Sequence, residues 1–193
     1  MPQAHPADDD LVARARDGDV AAFGKLVERY QDALFNGISR MVGQREDAED
    51  LAQEVFVKAF RSIRRFEGRS SFYTWLYSIA VNAVISHRRK LGARRRQDTF
   101  SLDAAGGDDR PLDLADPADA PDVVSQQHEL GERIEQAIAQ LDDDHRTIVV
   151  LRDIEGFDYE TIGTMLGCPQ GTVKSRLHRA RLALREQLED MVE

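Results

Sequence analysis

The sequence has almost no cysteine. Its single cysteine, Cys168, excludes an intramolecular disulfide and any zinc site built from several cysteines. The segment "MPQAHPADDDL" lacks the basic start and apolar core of a signal peptide, so we expect a reducing, cytoplasmic location. Alternating apolar and polar runs between hairpin signals are also lacking, which argues against strands. The 41% hydrophobic content is typical of a helical protein that can bury a core.

A long uncharged stretch covers residues 70–86, within "FEGRSSFYTWLYSIAVNAVISHRRK". It only reaches the short limit for crossing a bilayer and contains several polar residues, so no membrane insertion is expected. As a helix, it has an inner face formed by Phe72, Leu76, Ile79 and Ala83. Outside this face it carries more aromatic residues than a surface helix normally does. A helix buried in its bundle explains the inner face but not the basic cluster that follows. Aromatic side chains next to basic side chains favour binding of single-stranded nucleic acid, because the rings stack on bases and the basic groups bind phosphates.

Positive charge is scarce overall but concentrated in two segments. The formal net charge is −9. Residues 60–100 nevertheless contain ten Arg and Lys against Glu67 and Asp98, and residues 171–185 contain five Arg and Lys and no acidic residue. Two basic patches on an acidic background favour local attraction to a polyanion with little non-specific binding.

The pattern predicts an all-α protein of two small helical domains joined by a flexible acidic linker. Residues 1–9 are expected to form a disordered tail and residues 10–91 a helical domain, in which Ser70 or Ser71 caps the last helix. Residues 92–128 are rich in Gly, Pro, Ala and Asp, so they are expected to remain flexible. Helical periodicity returns over residues 129–193 and predicts a four-helix domain.

The second domain contains a predicted helix-turn-helix. A short helix capped by Asp158 meets a turn with Gly167 and Pro169, and a longer basic helix follows. Polar side chains on the outer face of that helix can reach phosphates or base edges, and its N-terminus offers free N–H groups. A basic helix that only packs on its neighbours is the alternative. The predicted DNA-contacting residues are Gln170, Gly171, Thr172, Lys174, Ser175, His178, Arg179 and Arg181.

Four motifs carry a resemblance to a known family. In chain order they are "GDVAAFGKLVERYQ", "DAEDLAQEVFVKAFRSI", the uncharged stretch with its flanks, and "YETIGTMLGCPQGTVKSRLHRARLALRE". They are similar to regions 2.1, 2.2, 2.3–2.4 and 4.2 of the extracytoplasmic-function group of bacterial RNA polymerase sigma factors, and the chain resembles the envelope-stress, sigma-E-like type. The resemblance implies a transcription initiation factor that opens promoters and is held inactive by an anti-sigma factor.

The resemblance also implies roles for individual residues. Core RNA polymerase would be bound through its beta-prime clamp helices and its beta flap. Contacts to the clamp helices are expected from Asp47, Asp50, Leu51, Gln53, Glu54 and Phe56. Contacts to the −10 promoter element are expected from Arg69, Ser70, Ser71, Tyr73, Trp75, Asn82, Arg88 and Arg89. The predicted helix-turn-helix residues would read the −35 element.

Two other functions are compatible with parts of the sequence. The helical spacing of Asp47, Asp50 and Glu54 would place three carboxylates on one helix face, as in a magnesium site. Such spacing more often marks an acidic face that is exposed to solvent. No carboxylate cluster with a paired base or nucleophile accompanies it, so we expect neither an enzyme nor a metal or other cofactor. A stand-alone helix-turn-helix regulator is the second alternative, and it leaves the uncharged aromatic stretch unexplained.

Overall fold

The structure, a computed structural model, describes the backbone of residues 8–98 and 123–190 and the side chains of residues 8–94 and 131–189. Within these residues the fold is all-α, as predicted, and contains no strand. A 3-10 turn follows α3 at Ile63–Arg65, and a π-helical turn follows α6 at Val150–Ile154. No helix in the described ranges has the length and apolar character needed to cross a membrane. The helices are α1 (Asp8–Arg16), α2 (Val20–Val42), α3 (Arg45–Ser62), α4 (Phe72–Asp98), α5 (Val123–Gln140), α6 (Asp143–Val149), α7 (Tyr159–Leu166) and α8 (Gln170–Asp190).

The helices form two compact units, with residues 8–39 and 46–98 in the first and residues 40–45 and 123–190 in the second. Three predicted boundaries differ from the structure. Helix α1 already begins at Asp8, inside the predicted tail, while α4 continues to Asp98 and α5 begins at Val123, both inside the predicted linker. Charged residues such as arginine form helices readily without an apolar stripe, so the charge-rich end of α4 gave no periodic signal. The flexibility expected for the rest of residues 92–128 concerns residues 99–122, which lie outside the described residues.

Helix α4 is the central helix of the first unit. Its buried residues lie on nearly every side of its first half, as expected for a helix that is apolar all round. The prediction that further aromatic residues of this helix lie outside the core was therefore wrong for Tyr73 and Tyr77, which are both buried. Ile79, which was predicted to lie on the inner face, is only half-buried. The buried residues are Phe72, Tyr73, Leu76, Tyr77, Ala80, Val81, Ala83 and Val84.

A buried carboxylate anchors α1 to α2. Asp8 is only 5% exposed, and its side chain accepts hydrogen bonds from the Arg29 guanidinium and the Tyr30 hydroxyl. Burial and the Asp8 carboxylate both raise the pKa of Tyr30, so its phenol stays protonated as the donor. The Tyr30 ring packs on Phe72 and Tyr73, at centroid distances of 5.7 and 5.3 Å. The start of the N-terminal helix is thereby connected to the start of α4.

The second unit surrounds an apolar core from α5–α8. Asp142 caps α6 by accepting hydrogen bonds from the backbone N–H groups of Asp144 and His145. The Arg146 guanidinium donates to the carbonyl oxygens of Ala139 and Leu141, which satisfies acceptors at the C-terminal end of α5. Most of the core consists of fully buried aliphatic side chains, with Phe157 between the π-helical turn and α7. The predicted four-helix unit is thus present.

The Asp8 anchor predicts a difference between two adjacent carboxylates. Asp8→Ala should lower the free energy of unfolding of the first unit by about 2 kcal/mol, because the Tyr30 hydroxyl and Arg29 lose a buried acceptor. Asp9→Ala is the matched control, since Asp9 lies in the same helical turn but is exposed, and it should change the value by less than about 0.5 kcal/mol. Urea unfolding of both variants measures the difference, and equal losses would show that only the helix dipole is involved.

Candidate nucleic-acid interface

The helix-turn-helix in the second unit is built from local signals. The Asp158 carboxylate caps α7 by accepting a 2.7 Å hydrogen bond from the Thr161 backbone N–H, and this bond lowers the pKa of Asp158. Gly167 ends α7 in the left-handed conformation, with φ of 64°, which glycine adopts without strain. Pro169 immediately precedes α8, and its carbonyl oxygen accepts hydrogen bonds from the backbone N–H groups of Thr172 and Val173. The predicted cap, turn and second helix are therefore confirmed.

A glycine allows the two helices to approach each other at the turn. A Cβ atom at Gly163 would lie 2.7 Å from the Cys168 carbonyl oxygen, a distance at which backbone must move. The same position faces the Val173 side chain, which is fully buried in the interface between α7 and α8. Close packing at this point sets the angle between the helices and so the direction of the outer face of α8.

The outer face of α8 presents polar side chains to solvent. Lys174, Ser175, His178 and Arg179 are all exposed, as predicted from the helical spacing. Within the described residues, His178 and Arg179 form neither a hydrogen bond nor an ion pair, so both are available to a ligand. The Ser175 hydroxyl donates to the Thr172 carbonyl oxygen at 3.1 Å, which occupies its proton but leaves its lone pairs open. At the start of α8, Gln170 and Gly171 are exposed and Thr172 is half-buried.

A cation–π cluster that sequence reasoning missed holds one of these side chains. The Lys174 ammonium lies 5.6 Å from the centroid of the Tyr159 ring, and the Arg152 guanidinium lies 4.8 Å from the same centroid. The Arg152 guanidinium also donates to the Phe157 carbonyl oxygen at 2.8 Å. Residues 152 and 159 precede α8 in sequence, so no periodic signal within α8 points to them.

Arg181 is exposed on α8 and is paired with an acidic side chain. Its guanidinium forms two hydrogen bonds to the Asp153 carboxylate, at 3.1 and 2.5 Å, and the hydrogen bond raises the pKa of Arg181. Asp153 lies in the π-helical turn, 28 residues earlier in the chain. This ion pair ties α8 to the turn after α6, and a contact from Arg181 to DNA would have to compete with Asp153.

In the first unit, several predicted −10 residues meet at the start of α4. The Ser71 hydroxyl oxygen accepts a 3.1 Å hydrogen bond from the Thr74 backbone N–H, so Ser71 is the N-cap. Ser70 and Arg69 are exposed in the preceding loop, where the Arg69 guanidinium pairs with Glu67 at 2.6 Å. The half-exposed Trp75 ring packs against Phe66 at a centroid distance of 5.0 Å. One face of this ring system is thus held rigidly next to a polar loop.

Three predicted −10 residues do not lie at this site. Tyr73 is 6% exposed and packs between Tyr30 and Tyr77, so its assignment as a strand contact was wrong. Arg88 and Arg89 follow Trp75 by 13 and 14 residues on one helix, a separation of about 20 Å at 1.5 Å per residue.

Asn82 lies between these two ends of α4. It is exposed and donates its side-chain amide to the Ser78 carbonyl oxygen at 2.7 Å. Asn82 lies about 10 Å along the helix from Trp75 at 1.5 Å per residue. Asn82 is therefore the only predicted −10 residue on the second half of the uncharged stretch.

The predicted core-binding residues share helix α3 but not one surface. Asp50, Gln53 and Glu54 are exposed and Phe56 is half-buried, whereas Leu51 is only 3% exposed and belongs to the core. The assignment of Leu51 as a direct contact was therefore wrong. Phe60 on the same helix is 45% exposed, and its ring packs on Phe23. Together with Val57, at 48% exposure, Phe60 adds apolar surface beside the acidic residues.

The acidic residues of α3 pair with basic groups rather than with one another. The Glu54 carboxylate lies 2.6 Å from the Lys58 ammonium, and this hydrogen bond lowers the pKa of Glu54. Asp47 is half-buried, with a carboxylate oxygen 3.2 Å from Nε2 of His87 on α4. The part of the chain that the structure describes contains no group of three or more His, Cys, Asp or Glu residues arranged to hold a metal ion. The magnesium alternative therefore has no geometric support in these residues.

Comparisons with known proteins agree with this arrangement. Two family models match the chain: Sigma-70 region 2 over residues 26–95, and Sigma-70, region 4 over residues 131–184. The RNA polymerase sigma-H factor of Pseudomonas aeruginosa is 38% identical over 188 residues, which cover 96% of this chain and 95% of that protein. The ECF RNA polymerase sigma-E factor of Escherichia coli strain K12 is 36% identical over 186 residues and covers 96% of both chains.

A solved structure also resembles the fold. The sigma factor RpoE from Bartonella quintana, solved with the anti-sigma factor NepR, has a TM-score of 0.67 at 29% identity, covering 88% of this chain and 98% of that chain. The two family models and the relatives together identify an RNA polymerase sigma factor for transcription initiation. The chain belongs to the sigma-70 family, in its extracytoplasmic-function group.

The close contact in the helix-turn-helix predicts opposite effects for two glycines. Gly163→Ala should lower the free energy of unfolding of the second unit by about 1–3 kcal/mol, because the new Cβ meets the Cys168 carbonyl oxygen. Gly131→Ala should instead stabilise this unit by up to about 1 kcal/mol, since Gly131 lies inside α5 with open space around it. Thermal unfolding of both variants checks the sign, and a stable Gly163→Ala protein would exclude the tight approach.

Proposed function

We propose that this sigma factor divides promoter recognition between its two units. The second unit reads the −35 element with α8, and the first unit captures an unpaired base of the −10 element at the start of α4. Core RNA polymerase binds the exposed side of α3. The observation that carries this proposal is that the free polar side chains of α8 and the half-exposed Trp75 belong to the two segments that match sigma-70 regions 4 and 2.

Recognition of the −35 element is supported by the chemistry of the outer face of α8. Arg179 is exposed and unpaired among the described residues, so its planar guanidinium is free to donate two hydrogen bonds to guanine. Lys174 is a compact charge held over Tyr159, which suits a phosphate contact rather than base discrimination. Exposed backbone N–H groups at the start of α8 add a second position for a phosphate.

Capture of the −10 strand is supported by the aromatic cluster at the start of α4. Trp75 offers a ring face for stacking, and its own packing on Phe66 and Phe72 fixes the orientation of that face. The Ser70 and Ser71 hydroxyls and Arg69 surround the same loop with hydrogen-bonding groups. Asn82 supplies an amide on the next exposed position of the helix, suited to the edge of an extruded base.

Core binding is supported by the mixed surface of α3. Asp50, Gln53 and Glu54 are exposed beside Val57 and Phe60, and an exposed apolar centre with a polar rim is typical of a protein interface. By analogy with RpoE, which was solved with NepR, an anti-sigma factor that occupies surfaces needed for polymerase or promoter binding would hold this protein inactive. The protein would act in the cytoplasm, without catalysing a reaction itself.

A stand-alone helix-turn-helix regulator is not favoured. Such a protein needs only the second unit, whereas the match to Sigma-70 region 2 covers residues 26–95. The Trp75 site and the α3 surface both lie in that segment.

The −35 proposal predicts different roles for two arginines on α8. In holoenzyme, Arg179→Ala should reduce discrimination at one −35 base pair by about 1–3 kcal/mol, because a bidentate base contact is lost. Arg181→Ala should leave this discrimination unchanged, since Arg181 is occupied by Asp153. Binding to a series of single-base promoter variants measures both. Uniform weakening by Arg179→Ala across the series would mean that Arg179 contacts phosphate.

The −10 proposal predicts a defect in strand opening. With core polymerase, the parent protein should open a duplex promoter, as measured by permanganate reactivity of unpaired thymines. Asn82→Leu should slow opening of duplex DNA but have a smaller effect on a template already mismatched at the −10 element, where less unpairing energy is needed. Ser86→Ala, an exposed change one turn further along α4, is the control and should behave like the parent. Equal rates for parent and Asn82→Leu on duplex DNA would remove Asn82 from the site.

A further inference from the structure

The half-exposed Trp75 ring is held by a stack of buried rings that reaches back to α2. Trp75 packs on Phe72 at a centroid distance of 5.7 Å and on Phe66 at 5.0 Å. Phe72 in turn packs on Tyr30, also at 5.7 Å, and all three supporting residues are buried. A displacement of the Tyr30 ring would pass through Phe72 to Trp75, because a close-packed interior has few voids to absorb it.

The far end of this stack is fixed by a carboxylate rather than by apolar packing. The Tyr30 hydroxyl donates to the buried Asp8 carboxylate, which also accepts from the Arg29 guanidinium. A hydrogen bond is directional, so it constrains the rotation and position of the Tyr30 ring more narrowly than apolar contacts do. Replacing a buried, paired carboxylate by well-packed apolar groups is often neutral for stability, so stability alone does not account for this arrangement.

Helix α1 also supports the Trp75 site from a second direction. It packs against the 3-10 turn Ile63–Arg65, and this turn is followed directly by Phe66, the other ring on which Trp75 packs. Ile63 and Phe66 are both buried, so the turn is anchored in the core. One helix thus supports both rings that hold Trp75.

We propose that Asp8 is a positioning residue for capture of the −10 strand. By holding Tyr30, its carboxylate keeps the Trp75 ring in the orientation that stacks on the unpaired base. This inference rests on the proposed −10 function of the first unit and deepens it. A ring that is already oriented loses little further freedom when a base stacks on it, so more of the stacking free energy is available for strand opening. Asp8 itself does not contact DNA.

Fluorescence of the free chain tests the orientation of the ring directly. Trp75 is the single tryptophan of the chain, so the signal reports this ring alone. Asp8→Ala should increase the amplitude of the fast component of the time-resolved anisotropy and the rate of quenching by acrylamide, because the ring gains local freedom. Asp9→Ala changes the neighbouring, exposed carboxylate and should retain the parent values. Each variant is measured well below its melting temperature.

Promoter opening by the holoenzyme measures the functional consequence. Core polymerase is saturated with each variant, and opening of a duplex promoter is followed by permanganate reactivity. If Trp75 holds its productive orientation in about one Asp8→Ala molecule in ten, opening should slow by about tenfold. Trp75→Ala should also slow opening. Adding Asp8→Ala to Trp75→Ala should cause no further loss, since Asp8 acts only through that ring.

Two further variants separate positioning from stability. Asp8→Ala/Tyr30→Phe leaves no buried hydroxyl without an acceptor, so it should regain much of the stability that Asp8→Ala loses. Its opening rate and anisotropy should nevertheless remain those of Asp8→Ala. Ile38→Val removes a buried methylene group about 12 Å further along α2 than Tyr30, at 1.5 Å per residue, and should lower stability while leaving opening unchanged.

Three results would overturn the inference. Unchanged anisotropy in Asp8→Ala would show that the Trp75 ring does not depend on the carboxylate. Opening that follows stability across all variants, including Ile38→Val, would give Asp8 a purely structural role, and so would additive losses in Asp8→Ala/Trp75→Ala. The proposed function has its own test, because normal opening by Trp75→Ala would contradict strand capture at this ring. A defect in Trp75→Ala without one in Asp8→Ala contradicts only the positioning role.

Discussion

Helix α4 has to be buried on nearly every side and still present functional groups, and the organisation of the first unit follows from this constraint. Side chains such as Tyr73, Leu76 and Tyr77 fill the core around its first half. Burial leaves few outward positions over residues 72–85, where Asn82 is exposed and Trp75 is half-exposed. The Asp8–Tyr30 contact supports this arrangement, since Tyr30 packs on the same first turn that carries Trp75. A single helix thus supplies both the centre of the core and the edge of the binding site.

Charge is arranged in each unit so that a few cations remain unpaired. Arg14, Arg29 and Arg181 are paired with carboxylates, whereas Arg179 has no such partner among the described residues. An unpaired guanidinium can bind a phosphate without first giving up a carboxylate partner. Negative charge elsewhere in the chain limits non-specific binding without weakening these local sites. The net charge of −9 is therefore consistent with a DNA-binding protein.

The structure differs most clearly from the sequence-based predictions at apolar side chains that could lie either in the core or at the surface. Leu51 and Phe60 both occur in apolar positions of α3, but Leu51 is in the core and Phe60 is largely exposed. Helical periodicity gives the direction of a side chain to within about one residue, and it does not say which neighbouring helix covers that direction. The ion pair of Arg181 could not be predicted for a related reason, because its partner Asp153 is 28 residues away in the chain.

The amino-acid sequence by itself determined the helical class, the helix-turn-helix and the cap at Asp158, and it narrowed the cap of α4 to Ser70 or Ser71. These features depend on interactions within a few residues, such as a side-chain oxygen that accepts a backbone N–H or a glycine that ends a helix in the left-handed conformation. The four motifs were likewise sufficient for the family. Only the tertiary structure decided which aromatic residues of α4 are core, which cations are paired and which residues stand next to Trp75. Those outcomes depend on contacts between segments distant in the chain, and burial and ion pairing are set by the neighbours that folding brings together.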